Sequence, residues 1–138
     1  MTDQRSIVTG VDFVSIPTKD LERAMEFYEN VLGLSRSTLW QSGEKEPVGA
    51  EYETGTVTLA LIACERLGID FQPHSVPIAL RVDDVEAARS QLEARGVSFK
   101  GETLDSGVCH QAIFEDPEGN TLDLHHRYAP RRLPSGGG

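Results

Sequence analysis

Hydrophobic and polar positions along this chain follow two periods, and the switches between them lay out its elements. From Gly10 to Pro17 the period is two: Val14 and Ile16 fall on one side and Phe13 and Ser15 on the other, which predicts a strand. Pro17, Thr18 and Asp20 interrupt it. Leu21, Ala24, Met25, Tyr28, Val31 and Leu32 then recur at three- and four-residue spacing, predicting a helix over Leu21 to Leu32 with one apolar stripe. Asp20 is placed to cap it, Glu22 suits the positive end of its dipole, and Gly33 is the expected stop. Beyond Gly33 the period returns to two. Leu34 to Gln41, Val48 to Thr54 and Thr56 to Ala63 read as three strands, joined by a loop at Ser42 to Pro47 and a tight turn near Gly55.

After an aperiodic connector the same order restarts. Pro77 to Val82 predicts a strand, and Asp83 or Asp84 caps a helix over Val85 to Arg95 that Gly96 ends; Asp83-x-x-Glu86 has capping-box spacing. Phe13 matches Pro77, Asp20 matches Asp84 and Ala24 matches Ala88 at a constant offset of 64 positions. A short strand around Val97 to Lys100, a turn at Asp105 to Gly107 and a hairpin over Cys109 to His125 complete the second copy. Two copies are too few for a stacked solenoid, so a fused pair is expected. The expected organisation is an extension over residues 1–9, one domain over 10–128 (module one 10–64, connector 65–76, module two 77–128) and a flexible tail over 129–138.

The hairpin turn is Asp116-Pro117-Glu118-Gly119-Asn120. Pro117 presets φ, Gly119 takes a positive φ freely, and the short polar side chains of Asp116 and Asn120 can bond the turn backbone. In the outgoing strand Thr121, Asp123 and His125 share one face, so a carboxylate and an imidazole stand about 6–7 Å apart along it.

Composition narrows the class. With 138 residues, 38% hydrophobic and 25% charged, the chain suits one globular domain. No apolar run reaches membrane-spanning length and no secretory leader is evident, so a soluble cytoplasmic protein is expected. Cys64 and Cys109 lie far apart and are expected to be reduced and buried. A net charge of −9 argues against nucleic acid and suits a neutral or cationic ligand.

Both copies resemble the βαβββ modules of the vicinal oxygen chelate superfamily, which includes glyoxalase I, extradiol dioxygenases, methylmalonyl-CoA epimerase and bleomycin-resistance proteins. The residues that carry the resemblance are Val14-x-Ile16-x-x-x-Asp20-Leu21-Glu22-x-Ala24-x-x-Phe27-Tyr28-x-x-x-Leu32-Gly33-Leu34, Val82-Asp83-Asp84-Val85-Glu86-Ala87-Ala88 and Phe114-x-Asp116-Pro117-Glu118-Gly119-Asn120-x-Leu122-Asp123-Leu124. The resemblance implies an α+β fold in which two βαβββ modules form a cup-shaped mixed sheet, with helices outside and a ligand cavity within. It also implies a homodimer.

Metal-using relatives place four ligands in that cup, of types that suit Zn, Ni, Mn or Fe(II). Here those positions fall on Phe13, near Ala60, on Pro77 and on Asp123, and three of the four cannot ligate through a side chain. No metal and no other cofactor is therefore expected; a divalent ion held by Asp123 and His125 is the alternative. The cavity is expected to be lined by Phe13, Ser15, Trp40, Ala60, Pro77, Gln111, Ile113, Asp123 and His125. Glu51 and Glu53 alternate with Tyr52, with one of them in the cavity or on a solvated strand face.

The resulting functional expectation is a metal-free small-molecule-binding protein that sequesters a cationic drug or metabolite. The alternative is a glyoxalase-, dioxygenase- or epimerase-like enzyme acting on a small carbonyl or vicinal-oxygen substrate, with Asp123 and His125 as candidate catalytic base and acid.

Overall fold

The computed structural model describes residues 6–41, 43 and 45–130. Part of the expected Ser42 to Pro47 loop and most of the expected 129–138 tail thus lie outside the described residues. The chain divides into two compact units, Met1–Gln72 and Pro73–Gly138. Each contains a four-stranded mixed sheet and a helix.

In the first unit the order is β1 (Phe13–Thr18), α1 (Leu21–Glu26), β2 (Ser35–Trp40), β3 (Gly49–Glu53) and β4 (Thr58–Ala63), with spatial order β1-β4-β3-β2. β1 runs parallel to β4, from Phe13 opposite Thr58 to Thr18 opposite Ala63. The strand therefore begins later than Gly10 and continues through Pro17. An edge strand tolerates proline because its missing N–H removes no bond from the sheet interior. Thr18 then closes the corner: its hydroxyl donates to the Ile62 carbonyl at 2.8 Å and its carbonyl accepts from the Cys64 N–H at 3.2 Å.

Asp20 caps α1 as expected, its carboxylate accepting from the Arg23 N–H at 3.1 Å. The helix does not continue as an α-helix to Leu32. It ends at Glu26 and passes into a π turn over Phe27–Val31, closed by the Leu32 N–H on the Phe27 carbonyl at 3.0 Å. The wider turn lets adjacent Phe27 and Tyr28 both bury their rings. Tyr28 stacks on Tyr52 with ring centroids 6.2 Å apart, and the Tyr52 hydroxyl donates to Glu29 at 2.5 Å. Burial, then the Glu29 bond, push the Tyr52 phenol well above its usual range. With Ile16, Ala50, Leu59 and Leu61 these rings form the unit's core.

The second unit repeats the plan with β5 (Ile78–Arg81), α2 (Val85–Ala94), β6 (Phe99–Asp105), β7 (Cys109–Glu115) and β8 (Thr121–Arg127), in spatial order β5-β8-β7-β6. β5 starts one residue after Pro77, and β6 runs five residues past the expected end at Lys100. What sequence periodicity conceals is a bulge: Lys100 pairs with Ile113, but the next pair is Leu104 with Gln111. Gly101 sits in it at φ 71°, a conformation a side chain would resist.

Asp84, not Asp83, is the N-cap of α2, accepting from the Ala87 N–H at 3.1 Å. Glu86 therefore stands one position too early for a capping box and instead accepts from the Thr103 hydroxyl. Arg89 lies with its guanidinium 4.8 Å from the Phe99 ring centroid and donates to the Gly101 carbonyl at 2.9 Å, tying α2 to the bulge. Replacing Asp84 by alanine should lower stability in urea by about 1 kcal/mol, whereas Asp83→Ala should change it by less than about 0.5 kcal/mol.

Candidate functional site

Each sheet has one face packed against its helix and one turned away from it, and the expected cavity residues other than Pro77 fall on the faces turned away. In the first unit, the register places Phe13 and Ser15 of β1, Ala60 of β4 and Trp40 of β2 on that face. β1 and β2 are the two edges of the sheet, about 14 Å apart at ordinary strand spacing. The Phe13 and Trp40 rings nevertheless meet edge to face, with centroids 5.9 Å apart and planes at 75°. A curled sheet and two long side chains close the distance.

Trp40 lies opposite Gly49, and the glycine is required there: an added Cβ would come within 2.6 Å of the indole Cε3 and 2.9 Å of the Leu61 carbonyl oxygen. The indole thus rests on backbone. Its Nε1–H donates to Glu51 Oε2 at 2.6 Å. Glu53, two residues along, shares the Glu51 face and accepts from the Ser37 and Thr58 hydroxyls at 2.6 and 2.9 Å. Those two bonds hold its carboxyl below the ordinary glutamate value. Period-two parity already required the two glutamates to share a face; what the sequence did not reveal was that this is the Trp40 face. Both glutamates, where the sequence offered one of them for this face, lie on it.

In the second unit Ile113 pairs with Asp123 and Gln111 with His125, bringing four of the expected residues together. Asp123 is 2% exposed, and its Oδ1 has no hydrogen-bond partner among the described residues. Burial pushes its carboxyl above the usual aspartate value, while the His125 charge and the Ala112 backbone N–H pull it back. Among the described residues the Gln111 amide makes one contact, from its N–H to Cys109 Sγ at 3.6 Å, which leaves its carbonyl and second N–H to a ligand. Ala79 and Arg81 of β5 complete the face opposite Asp123 and His125. Pro77 is exposed, just ahead of β5 and outside the ladder. His126 turns to the other side, its Nδ1 3.2 Å from the Val82 carbonyl.

A superfamily metal would need donors at Phe13, Ala60 and Pro77 that those side chains do not have. No group of three His, Cys, Asp or Glu able to hold an ion occurs among the described residues. No helix among the described residues is long and apolar enough to cross a membrane.

Residues 10–124 match the model of the Glyoxalase/Bleomycin resistance protein/Dioxygenase superfamily. No curated protein matches the chain. Among solved structures it is similar to TnmS3, an antibiotic binding protein from Streptomyces sp. CB03234, at 27% identity and a TM-score of 0.70, over 89% of this chain and 99% of that one. A glyoxalase/bleomycin resistance protein from the same Streptomyces strain matches at 26% identity and a TM-score of 0.65, over 85% of this chain and 100% of its own. A glyoxalase/bleomycin resistance protein/dioxygenase from Nocardioides shares the fold, with 23% identity, a TM-score of 0.72 and coverage of 95% and 93%. With two βαβββ units in sequence and a family match over most of its length, this chain belongs to the glyoxalase/bleomycin resistance protein/dioxygenase superfamily.

Proposed function

We propose that this protein is a metal-free binder of small organic molecules that sequesters a cationic drug or metabolite. The observation that carries this reading is Asp123. A buried carboxyl with an unpaired oxygen costs stability, and a ligand's N–H or O–H donor would recover it. Gln111, His125 and Ile113 supply adjacent polar and apolar contacts. The likeness to an antibiotic binding protein supports the same reading.

The enzyme alternative draws on one feature, the raised Asp123 carboxyl beside His125, which is the pairing a general base and acid would need. The protein is further proposed to be a cytoplasmic homodimer: both cysteines are free and buried, and Ile7, Val8 and Val11 expose apolar surface ahead of β1.

Melting the protein with daunorubicin and with bleomycin, both cationic, tests the reading. Binding at a hundredfold excess over Kd adds about 2.7 kcal/mol to stability. The expected result is such a rise with at least one of them, reduced in Asp123→Asn. No rise with either overturns the cationic-ligand assignment, and a stoichiometric divalent ion in protein purified without an affinity tag overturns the metal-free one. Size-exclusion chromatography with light scattering checks the dimer.

A further inference from the structure

We infer that the Phe13–Trp40–Glu51 corner of the first unit is a seat for an alkylated ammonium group, a recognition element separate from Asp123. The inference rests on the small-molecule reading above and names the part of a ligand that this face would take.

Two ring planes at 75° make adjoining walls, the geometry in which a compact cation can contact more than one π face. The indole is held from below by Gly49, so its position is fixed before any ligand arrives. Its N–H donates to a carboxylate at 2.6 Å, which enriches the ring in electron density and places a full negative charge at its edge. Glu53 adds a second carboxylate on the same face.

Nothing basic in the sheet competes for that charge. Arg36 is the one Lys, Arg or His in β1 to β4, and it lies on the opposite face, 3.6 Å from Glu29. In the second unit, by contrast, Arg89 already occupies the Phe99 ring. Two aromatic walls and two carboxylates, with no Lys, Arg or His on that face of β1 to β4, select a positively charged group that is also greasy at its surface. A quaternary or alkylated ammonium has that chemistry, whereas a metal ion, needing several oxygens at close range, does not.

The quaternary ammonium of choline carries no N–H for Asp123 Oδ1, and the hydroxyl that could reach that oxygen is shared by an uncharged isostere, so the difference between the two, and its loss in variants of this corner, reports on the corner. Choline is the probe and 3,3-dimethylbutan-1-ol its uncharged isostere. Trp40 is the only tryptophan, so fluorescence and the indole N–H resonance of the full chain read the site directly. At constant ionic strength, choline is expected to shift both signals saturably and to bind about five- to tenfold more tightly than the isostere. Glu51→Gln, which keeps an acceptor for the indole, should weaken choline about three- to tenfold and leave the isostere unchanged. Phe13→Leu, which keeps apolar bulk, should also weaken choline about threefold.

Equal affinity for choline and the isostere would overturn the inference in favour of a plain apolar patch. No saturable response to choline, in protein whose melting point still rises with daunorubicin, would overturn the seat and leave the proposed function standing. A saturable choline response without any drug-induced rise would uphold the seat and remove the drug-binding assignment.

Discussion

Asp116→Ala is expected to destabilise the protein by about 3–5 kcal/mol in urea, the largest effect of any single change outside the apolar cores. The Asp116 Oδ1 accepts from the Glu118 and Asn120 N–H groups at 2.8 and 2.9 Å, and Oδ2 accepts from the Asn120 amide at 3.0 Å. Asp116 and Asn120 are buried, so truncation strands their donors away from water instead of returning them to it. The damage does not stop at the turn. Asn120 Oδ1 accepts from the His74 N–H at 2.8 Å, and the His74 carbonyl accepts from the Thr121 N–H at 2.8 Å. The turn thereby anchors the segment that leads into β5, with Pro73 packed 3.7 Å from the position of a Gly119 Cβ. Amide exchange should accelerate at Thr121 and His74 as well as at the turn. Pro117→Ala, at an exposed position, is expected to cost less than about 1 kcal/mol, mostly through the entropy of the unfolded chain.

That turn was legible because its information is local. Asp-Pro-x-Gly-Asn specifies its own dihedrals and bonds, and the structure adds only what the side chains grip. The repeat was legible for the same reason, since period, cap and stop recur in both copies. The π turn at Phe27–Val31 and the bulge after Lys100 were not, because each inserts a backbone irregularity without disturbing the apolar pattern around it. The Asp83-x-x-Glu86 spacing misled because two consecutive aspartates each offer an N-cap, and the backbone uses the second, whose third helical position is Ala87. At the site, parity sorted Gln111, Ile113, Asp123 and His125 onto one face, since a strand offers only two. Parity says nothing of reach across a curled sheet. The Phe13–Trp40 contact and the Glu51 bond join residues distant in sequence and lying on separate strands, through side-chain length and curvature that no alternation records.

Asp123→Asn should have the opposite sign from Asp116→Ala: the ligand-free protein becomes more stable at neutral pH, by about 1–3 kcal/mol, or roughly 3–10 °C in Tm. Desolvation raises the Asp123 carboxyl in the folded state, so the unfolded chain loses this proton at lower pH than the native one does. Below the ordinary carboxylate range both states are protonated and the residue contributes nothing to pH dependence. As pH rises from there to the raised native value, the native state holds the extra proton and stability falls; above that value the penalty is constant. The gain in Asp123→Asn should therefore shrink as pH falls toward the ordinary aspartate value. Glu53 and Asp105, both held low by hydrogen bonds, favour the folded state above the ordinary carboxylate range and lose that contribution on acidification. They act equally in parent and mutant, so the difference between two urea series at pH 7 and pH 4 isolates Asp123. A mutant less stable than its parent at pH 7 would show that the ionised carboxyl is already satisfied by the protein, and the case for a ligand donor at Oδ1 would fall with it. A stabilised mutant that has also lost drug-induced melting shifts, with affinity down about thirty- to a hundredfold, would mark a position where stability is given up for binding.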